Sequence, residues 1–142
     1  QDYRYDYLCI EPKIVWAPSV FFEAEYKATV SCVGGGIGED TSLDPLWEVA
    51  QRLTLSLEFH DTEFRLSGEH FYNDLSKNQH LNIWLADVSL IHKAGKWRFA
   101  ASAINLFNKE QYRYTLYSAV QSYTSWIKLR PREFMVSVQY QW

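Results

Sequence analysis

The chain has 142 residues and a net charge of −3. That is the size of one domain, with no basic field to draw nucleic acid or an anionic surface. No run approaches the ~18 consecutive apolar residues of a membrane-crossing helix, which leaves open a membrane crossed by strands. The departure from ordinary composition is aromatic: 6 Trp, 10 Tyr and 8 Phe make up 17% of the residues, and rings with one wet end suit membrane interfaces.

Period-two alternation recurs along the whole chain and predicts antiparallel strands. An opening strand covers residues 3–16, with a slip in alternation near Ile10 that suggests a bulge. After a short turn at Ala17-Pro18-Ser19, Val20, Phe22, Ala24, Tyr26, Ala28, Val30 and Cys32 share one face, and Glu23, Glu25, Lys27, Thr29 and Ser31 the other. A longer connection over residues 34–45 precedes Trp47, Val49, Gln51, Leu53, Leu55, Leu57 and Phe59, which oppose Glu48, Arg52, Thr54, Ser56 and Glu58. The turn His60-Asp61-Thr62 leads to Phe64, Leu66, Gly68 and Tyr72 against Glu63, Arg65, Ser67 and Glu69. Beyond a connection over residues 73–80, Trp84, Ala86, Val88 and Leu90 oppose Asp87 and Ser89. The turn Lys93-Ala94-Gly95 gives way to Trp97, Phe99, Ala101 and Ala103 against Lys96, Arg98 and Ser102. An irregular, Tyr-rich connection over residues 105–123 follows, and the last run sets Phe134, Val136, Val138, Tyr140 and Trp142 against Glu133, Ser137, Gln139 and Gln141.

No stretch has helical periodicity, so the chain is all-β. Short turns fall on one side of the seven inferred strands and long connections on the other, the parity of an up-and-down outer-membrane barrel. The strands exceed the ~5–6 residues usual in globular sheets and suit a tilted crossing. Aromatics gather near their ends as a girdle would. The expected fold is an antiparallel up-and-down transmembrane β-barrel segment of about seven or eight strands, residues 1–142 forming the C-terminal part of a larger barrel, with residues 109–118 the source of any missing strand. Glu23, Lys27, Arg52, Glu58, Arg65, Glu69, Asp87 and Arg98 then face a polar lumen.

Sharper chemistry finds little purchase. Gly34-Gly-Gly-Ile-Gly38 lacks the Lys-Ser/Thr of a phosphate loop and is followed by Glu39 and Asp40. His70 and His80 flank a connection symmetrically and would need Asp74 to hold a metal, without tight ligand spacing. The pairs Glu23/Glu25 and Glu58/Glu63 follow from strand alternation. Cys9 and Cys32 fall in different rungs if their strands pair, so free thiols are expected. No enzyme activity, cofactor or metal is expected. The chain starts at Gln1 with neither Met nor signal peptide, as a processed form or a fragment would.

The carboxyl end, Phe134-Met-Val-Ser-Val-Gln-Tyr-Gln-Trp142, resembles the signal by which assembly machinery recognises outer-membrane barrels: an aromatic last residue with Phe134, Val136, Val138 and Tyr140 at alternate positions before it. Upstream, Ala103-Ile-Asn-Leu-Phe-Asn-Lys-Glu-Gln-Tyr112 resembles the "N-L-F-(D/N)-K-x-Y" element near the end of TonB-dependent receptors, and Leu129-Arg-Pro-Arg132 the lead-in to their last strand. The resemblance is strongest over residues 81–142 and extends to about Trp47. It implies a Gram-negative outer-membrane location and a barrel of about 22 strands closed by a plug. Uptake of a scarce nutrient would be powered by TonB, with outer-membrane lipid, barrel-assembly machinery and a surface lipoprotein as further partners. The chain departs from that pattern in holding neither plug nor TonB-contacting segment. If any part touches ligand, the resemblance and the aromatics point to Tyr112, Tyr114, Tyr117, Tyr123 and Trp126 in the last long connection and to residues 34–45. Two alternatives stay open: a complete eight-stranded outer-membrane barrel with a structural or adhesive role, and a soluble ligand-binding barrel of lipocalin type, with its faces inverted.

Overall fold

The computed structural model describes residues 3–37, 41–76, 79–117 and 122–142. These residues form ten strands and no helix: β1 (Tyr3–Ile10), β2 (Lys13–Ser19), β3 (Phe22–Ile37), β4 (Thr41–Phe59), β5 (Thr62–Ser76), β6 (Gln79–Ala94), β7 (Trp97–Ile104), β8 (Gln111–Tyr117), β9 (Ser122–Lys128) and β10 (Glu133–Tyr140).

Eight of the strands make one antiparallel sheet in the order β1-β3-β4-β5-β6-β7-β10, with β2 also paired to β3. β1 and β2 lie along the same edge of β3: Ile10 faces Val30 and Lys13 faces Lys27, so the register runs on unbroken. Pro12 separates them. Ala28 N donates to the Pro12 carbonyl at 3.0 Å, but proline has no N–H to return the bond, and the ladder drops a rung. The expected slip at Ile10 is therefore absent, and the register shift lies between Trp16 and Ser19, around Pro18. Counted by position, the sheet has the seven places that the alternation predicts. It is open, ending in β1/β2 on one side and β10 on the other.

The connections correct the sequence reading in detail. Residues 34–45 are mostly strand: β3 continues to Ile37 and β4 begins at Thr41, with a register shift between Val33 and Gly35. The connection over 73–80 is likewise mostly ladder, with Asp74 opposite His80. Glycine and short polar residues leave no side-chain alternation to read, yet their backbones still pair. On the other side, the tight turns sit at Val20-Phe21, His60-Asp61 and Gly95-Lys96, a residue or so from the expected places. Gly95 adopts φ 60° and His60 φ 51°. A Cβ at Gly95 would meet nothing within 4 Å, so Gly95→Ala should cost only the left-handed backbone penalty, about 1 kcal/mol, read as a lowered unfolding midpoint.

The last long connection is not irregular. β8 and β9 form a separate two-stranded sheet with Gln111 opposite Lys128, so residues 109–118 add no strand to the main sheet. Asn105 and Asn108, at φ 53° and 52°, turn the chain out of the β7 line before it can continue there.

The described residues build no conventional core. Among the described residues the buried apolar side chains are only Ala28, Ile83 and Ala103, and no large side chain is fully buried. The accessible surface is 10631 Å², against roughly 7,600 Å² for a compact monomer of this mass. A single sheet layer leaves both faces to be covered by something else.

Candidate functional site

The register sorts every side chain of the sheet onto one of two faces. One rung runs Trp16, Ala24, Leu55, Leu66, Val88, Ala103, Phe134, apolar across all seven positions. Along β4 this face carries Trp47, Val49, Gln51, Leu53, Leu55, Leu57 and Phe59, and no Lys, Arg, Asp or Glu occupies it between the strand ends. Much of it is bare, with Phe134 71% and Val136 81% exposed. That is far more contiguous apolar surface than a soluble monomer presents.

Aromatic clusters border this face. At the short-turn end, Trp16 meets Phe22 with ring centroids 5.5 Å apart, Phe21 meets Phe59 at 6.3 Å, and Trp97 meets Tyr140 at 4.8 Å. Trp142 stands beyond β10 with its ring 5.5 Å from Tyr140. At the long-connection end lie Trp47, Tyr72 and Trp84. From Trp47 to Leu57 the strand rises roughly 33 Å at ~3.3 Å per residue, and a tilt near 40° turns that into a band about 25 Å tall.

The opposite face is polar. Glu23, Lys27, Arg52, Glu58, Arg65, Glu69, Asp87 and Arg98 all lie on it, as the alternation predicts. Its charges neutralise one another between and along strands. Lys13 and Lys27 reach Glu25 at 3.0 and 2.7 Å, Arg65 reaches Glu63 at 3.2 Å, and Arg52 pairs with Glu69 across β4 and β5. A cavity of about 460 Å³ opens at the short-turn end among Glu23, Ser56, Glu58 and Arg65. Another of about 210 Å³ lies between Ser67, Glu69, Asp87, Asn105 and Arg130.

Asn105 is the clasp of this second region, 5% exposed. Its backbone N–H donates to Asp87 Oδ1 at 2.7 Å, its Nδ2 donates to the carbonyls of Lys109 and Arg130, each at 2.7 Å, and its Oδ1 accepts from Lys109 N at 2.9 Å. Asn108 Oδ1 accepts from Arg132 N at 2.9 Å. The Asn-Leu-Phe-Asn element thereby ties β6, the root of the β8–β9 hairpin and the approach to β10 into one knot. Asp87 is part of that knot rather than a free lining charge. Sequence reasoning quotes the motif but gives no account of these bonds, which join residues far apart in the chain.

It also misses a polar relay on the apolar face. Tyr26 OH donates to Gln51 Oε1 at 2.7 Å, Gln51 Nε2 lies 3.2 Å from His70 Nδ1, and His70 Nε2 lies 3.0 Å from Asn82 Oδ1. The one available signal is that Gln51 and His70 interrupt otherwise apolar runs in β4 and β5. With both ring nitrogens engaged, His70 is no partner for His80, which stacks on Tyr72 at 5.7 Å. The register sets His70 opposite Trp84 and His80 opposite Asp74, so the two do not face each other. No group of three His, Cys, Asp or Glu able to hold a metal occurs among the described residues. Cys9 and Cys32 are free thiols, on opposite faces because Cys9 faces Ser31 while Leu8 faces Cys32.

Phe134, Val136, Val138 and Tyr140 lie on the apolar face opposite Ala103, Ala101, Phe99 and Trp97. In the last connection, Tyr123 and Trp126 are exposed on β9. Tyr112, Tyr114 and Tyr117 belong to the backbone of β8, and their side chains lie outside the described residues. No helix among the described residues is long and apolar enough to cross a membrane, which says nothing about strands. No family model, curated protein or solved structure matches this chain.

Proposed function

We propose that this chain supplies the terminal strands of an outer-membrane barrel of the TonB-dependent transporter type in a Gram-negative bacterium. The observation that carries the reading is the division of one long-stranded sheet into two faces. One is apolar, exposed and free of formal charge between aromatic rims, and the other is ion-paired and polar. Lipid covers the first face at no desolvation cost, and the second borders a watery or plugged lumen. The open edges then pair with the remaining strands of the barrel, because an unpaired backbone row cannot face hydrocarbon. A plug, TonB, the barrel-assembly machinery and a surface lipoprotein are the partners this reading brings, and a scarce nutrient is the cargo.

An eight-stranded anchor is the second reading. It is the weaker one because β8 pairs with β9 outside the main sheet and leaves seven positions in it. A soluble barrel would have to turn the charged face outward and fill its interior with the apolar one.

Membrane fractionation of the full gene product tests all three. A detergent-dependent polypeptide much longer than this chain is the expected result, one of this length favours the small anchor, and a soluble monomer sinks the membrane reading. Deleting Trp142 should also cut the amount of assembled, heat-modifiable barrel severalfold without changing synthesis, as measured by gel mobility of unheated samples. Equal assembly would remove Trp142 from the recognition signal.

A further inference from the structure

The Tyr26–Gln51–His70–Asn82 relay crosses four adjacent strands on the face that is otherwise apolar. Polar groups facing hydrocarbon are costly unless bonded, and here each is bonded to the next. The chain of bonds fixes its own direction. The Tyr26 hydroxyl donates to Gln51 Oε1, so Gln51 offers N–H to His70 Nδ1. That nitrogen must then be the acceptor, and the proton sits on Nε2, facing Asn82 Oδ1. The relay therefore ends at the rim in a donor. Asn82 is exposed, and its amide N–H pair points to no partner within the relay.

Beside it stands Trp84, 54% exposed. One face of its indole is stacked on His70, centroid to centroid 4.2 Å with planes 24° apart. β7 pairs with β6 only as far as Val88 opposite Ala103, with one more bond from Leu106 N to the Ala86 carbonyl. Above that point no described strand flanks β6 on the side away from β5, which leaves the far side of Trp84 without a strand neighbour. Charge limits what can bind. No Lys or Arg lies on this face of β4, β5 or β6 among the described residues. Among the described residues, the acid on this face of β5 and β6 is Asp74, which already accepts from Trp47 N at 3.0 Å and Tyr72 OH at 2.7 Å. Among the described residues of these strands, a phosphate or carboxylate would find no Lys or Arg to pair with.

We propose that this rim is a binding site for a neutral sugar, and that its occupant is the headgroup of a glycolipid. An open aromatic plane takes the C–H face of a pyranose, while the amide N–H pair of the neighbouring Asn82 donates to its hydroxyls. The occupant, though not the chemistry, rests on the membrane reading above.

The test uses the full-length protein in phosphatidylcholine nanodiscs doped with either monogalactosyl diacylglycerol or phosphatidylglycerol, counting retained lipid by native mass spectrometry. The galactolipid should be retained in preference, with retention falling about tenfold in Trp84→Ala and severalfold in Asn82→Ala. Trp84→Phe, which keeps an aromatic plane, should retain most of it, and Trp97→Ala at the opposite rim should change nothing. Equal retention by Trp84→Ala, or preference for phosphatidylglycerol, overturns the proposal. Free lactose binding as tightly as the galactolipid would replace the lipid occupant with a soluble saccharide and overturn the glycolipid assignment. If the protein does not enter nanodiscs, the membrane reading falls on its own. Lactose binding by the soluble protein that Trp84→Ala weakens would then support the sugar chemistry, and binding that it leaves unchanged would overturn it.

Discussion

Replacing Leu55 by arginine should destabilise the lipid-inserted protein by about 2–4 kcal/mol, whereas Thr54→Arg, one residue away, should cost less than about 1 kcal/mol. Leu55 lies in the middle of the apolar rung, between Ala24 on β3 and Leu66 on β5. A guanidinium there must thin the bilayer or drag water in to stay charged. Thr54 sits on the other face between Glu25 and Ser67, where a new cation stays hydrated beside the Glu25 carboxylate that Lys13 and Lys27 already share. Urea unfolding from phosphatidylcholine vesicles, followed by tryptophan emission, measures both. The cost should also shrink from Leu55→Arg to Leu57→Arg as the charge nears the short-turn rim. A flat profile along β4, or equal costs at positions 54 and 55, would remove lipid from the apolar face.

Asn105→Ala should be the most damaging single change outside the strands, at about 3 kcal/mol. Alanine at φ 53° pays the left-handed penalty of ~1 kcal/mol. The lost side chain also strands the carbonyls of Lys109 and Arg130 and the N–H of Lys109, at ~1 kcal/mol or more for each group that water does not reach. Two companions separate the causes. Asn105→Gly relieves the backbone but not the bonds, so it should fall between wild type and alanine, whereas Asn105→Asp turns a carboxylate oxygen on the carbonyls of Lys109 and Arg130 beside Asp87 and should cost about as much as alanine. Hydrogen exchange should report faster opening at Lys109 and along the approach to β10, with β4 and β5 unchanged. Uniform destabilisation of the whole sheet would mean that the clasp is not local.

What could be read in advance was what repeats every second residue. Trp47 to Phe59 announce one face of β4 by themselves, and the charged positions they alternate with land together on the other. Strands vanish from view where side chains do: the Gly34-Gly-Gly stretch pairs with β1 without a break and with β4 across a register shift, but carries no pattern. The β8–β9 hairpin was hidden because the alternation begun by Tyr112 and Tyr114 breaks at Leu116-Tyr117, and the turn that diverts it depends on two asparagines in the left-handed region. The relay was invisible for another reason. Tyr26, Gln51, His70 and Asn82 come from four strands, and only the register says that they touch. Nothing within either strand marks Gln51 as the partner of a histidine on the next.

The two open edges of the sheet are unlike each other. The outward row of β10 contains no proline from Glu133 to Tyr140, whereas the β1/β2 edge carries Pro12 and Pro18 and a register shift. β10 is therefore the edge that accepts a further strand, and a second copy would meet it β10 against β10, antiparallel about a twofold axis. Such a contact uses the same patch on both partners and closes on itself. Produced alone in water, this polypeptide should associate first through β10, and a short peptide that adds a strand to β10 should block that association. Anyone preparing it in isolation will need to supply that cap.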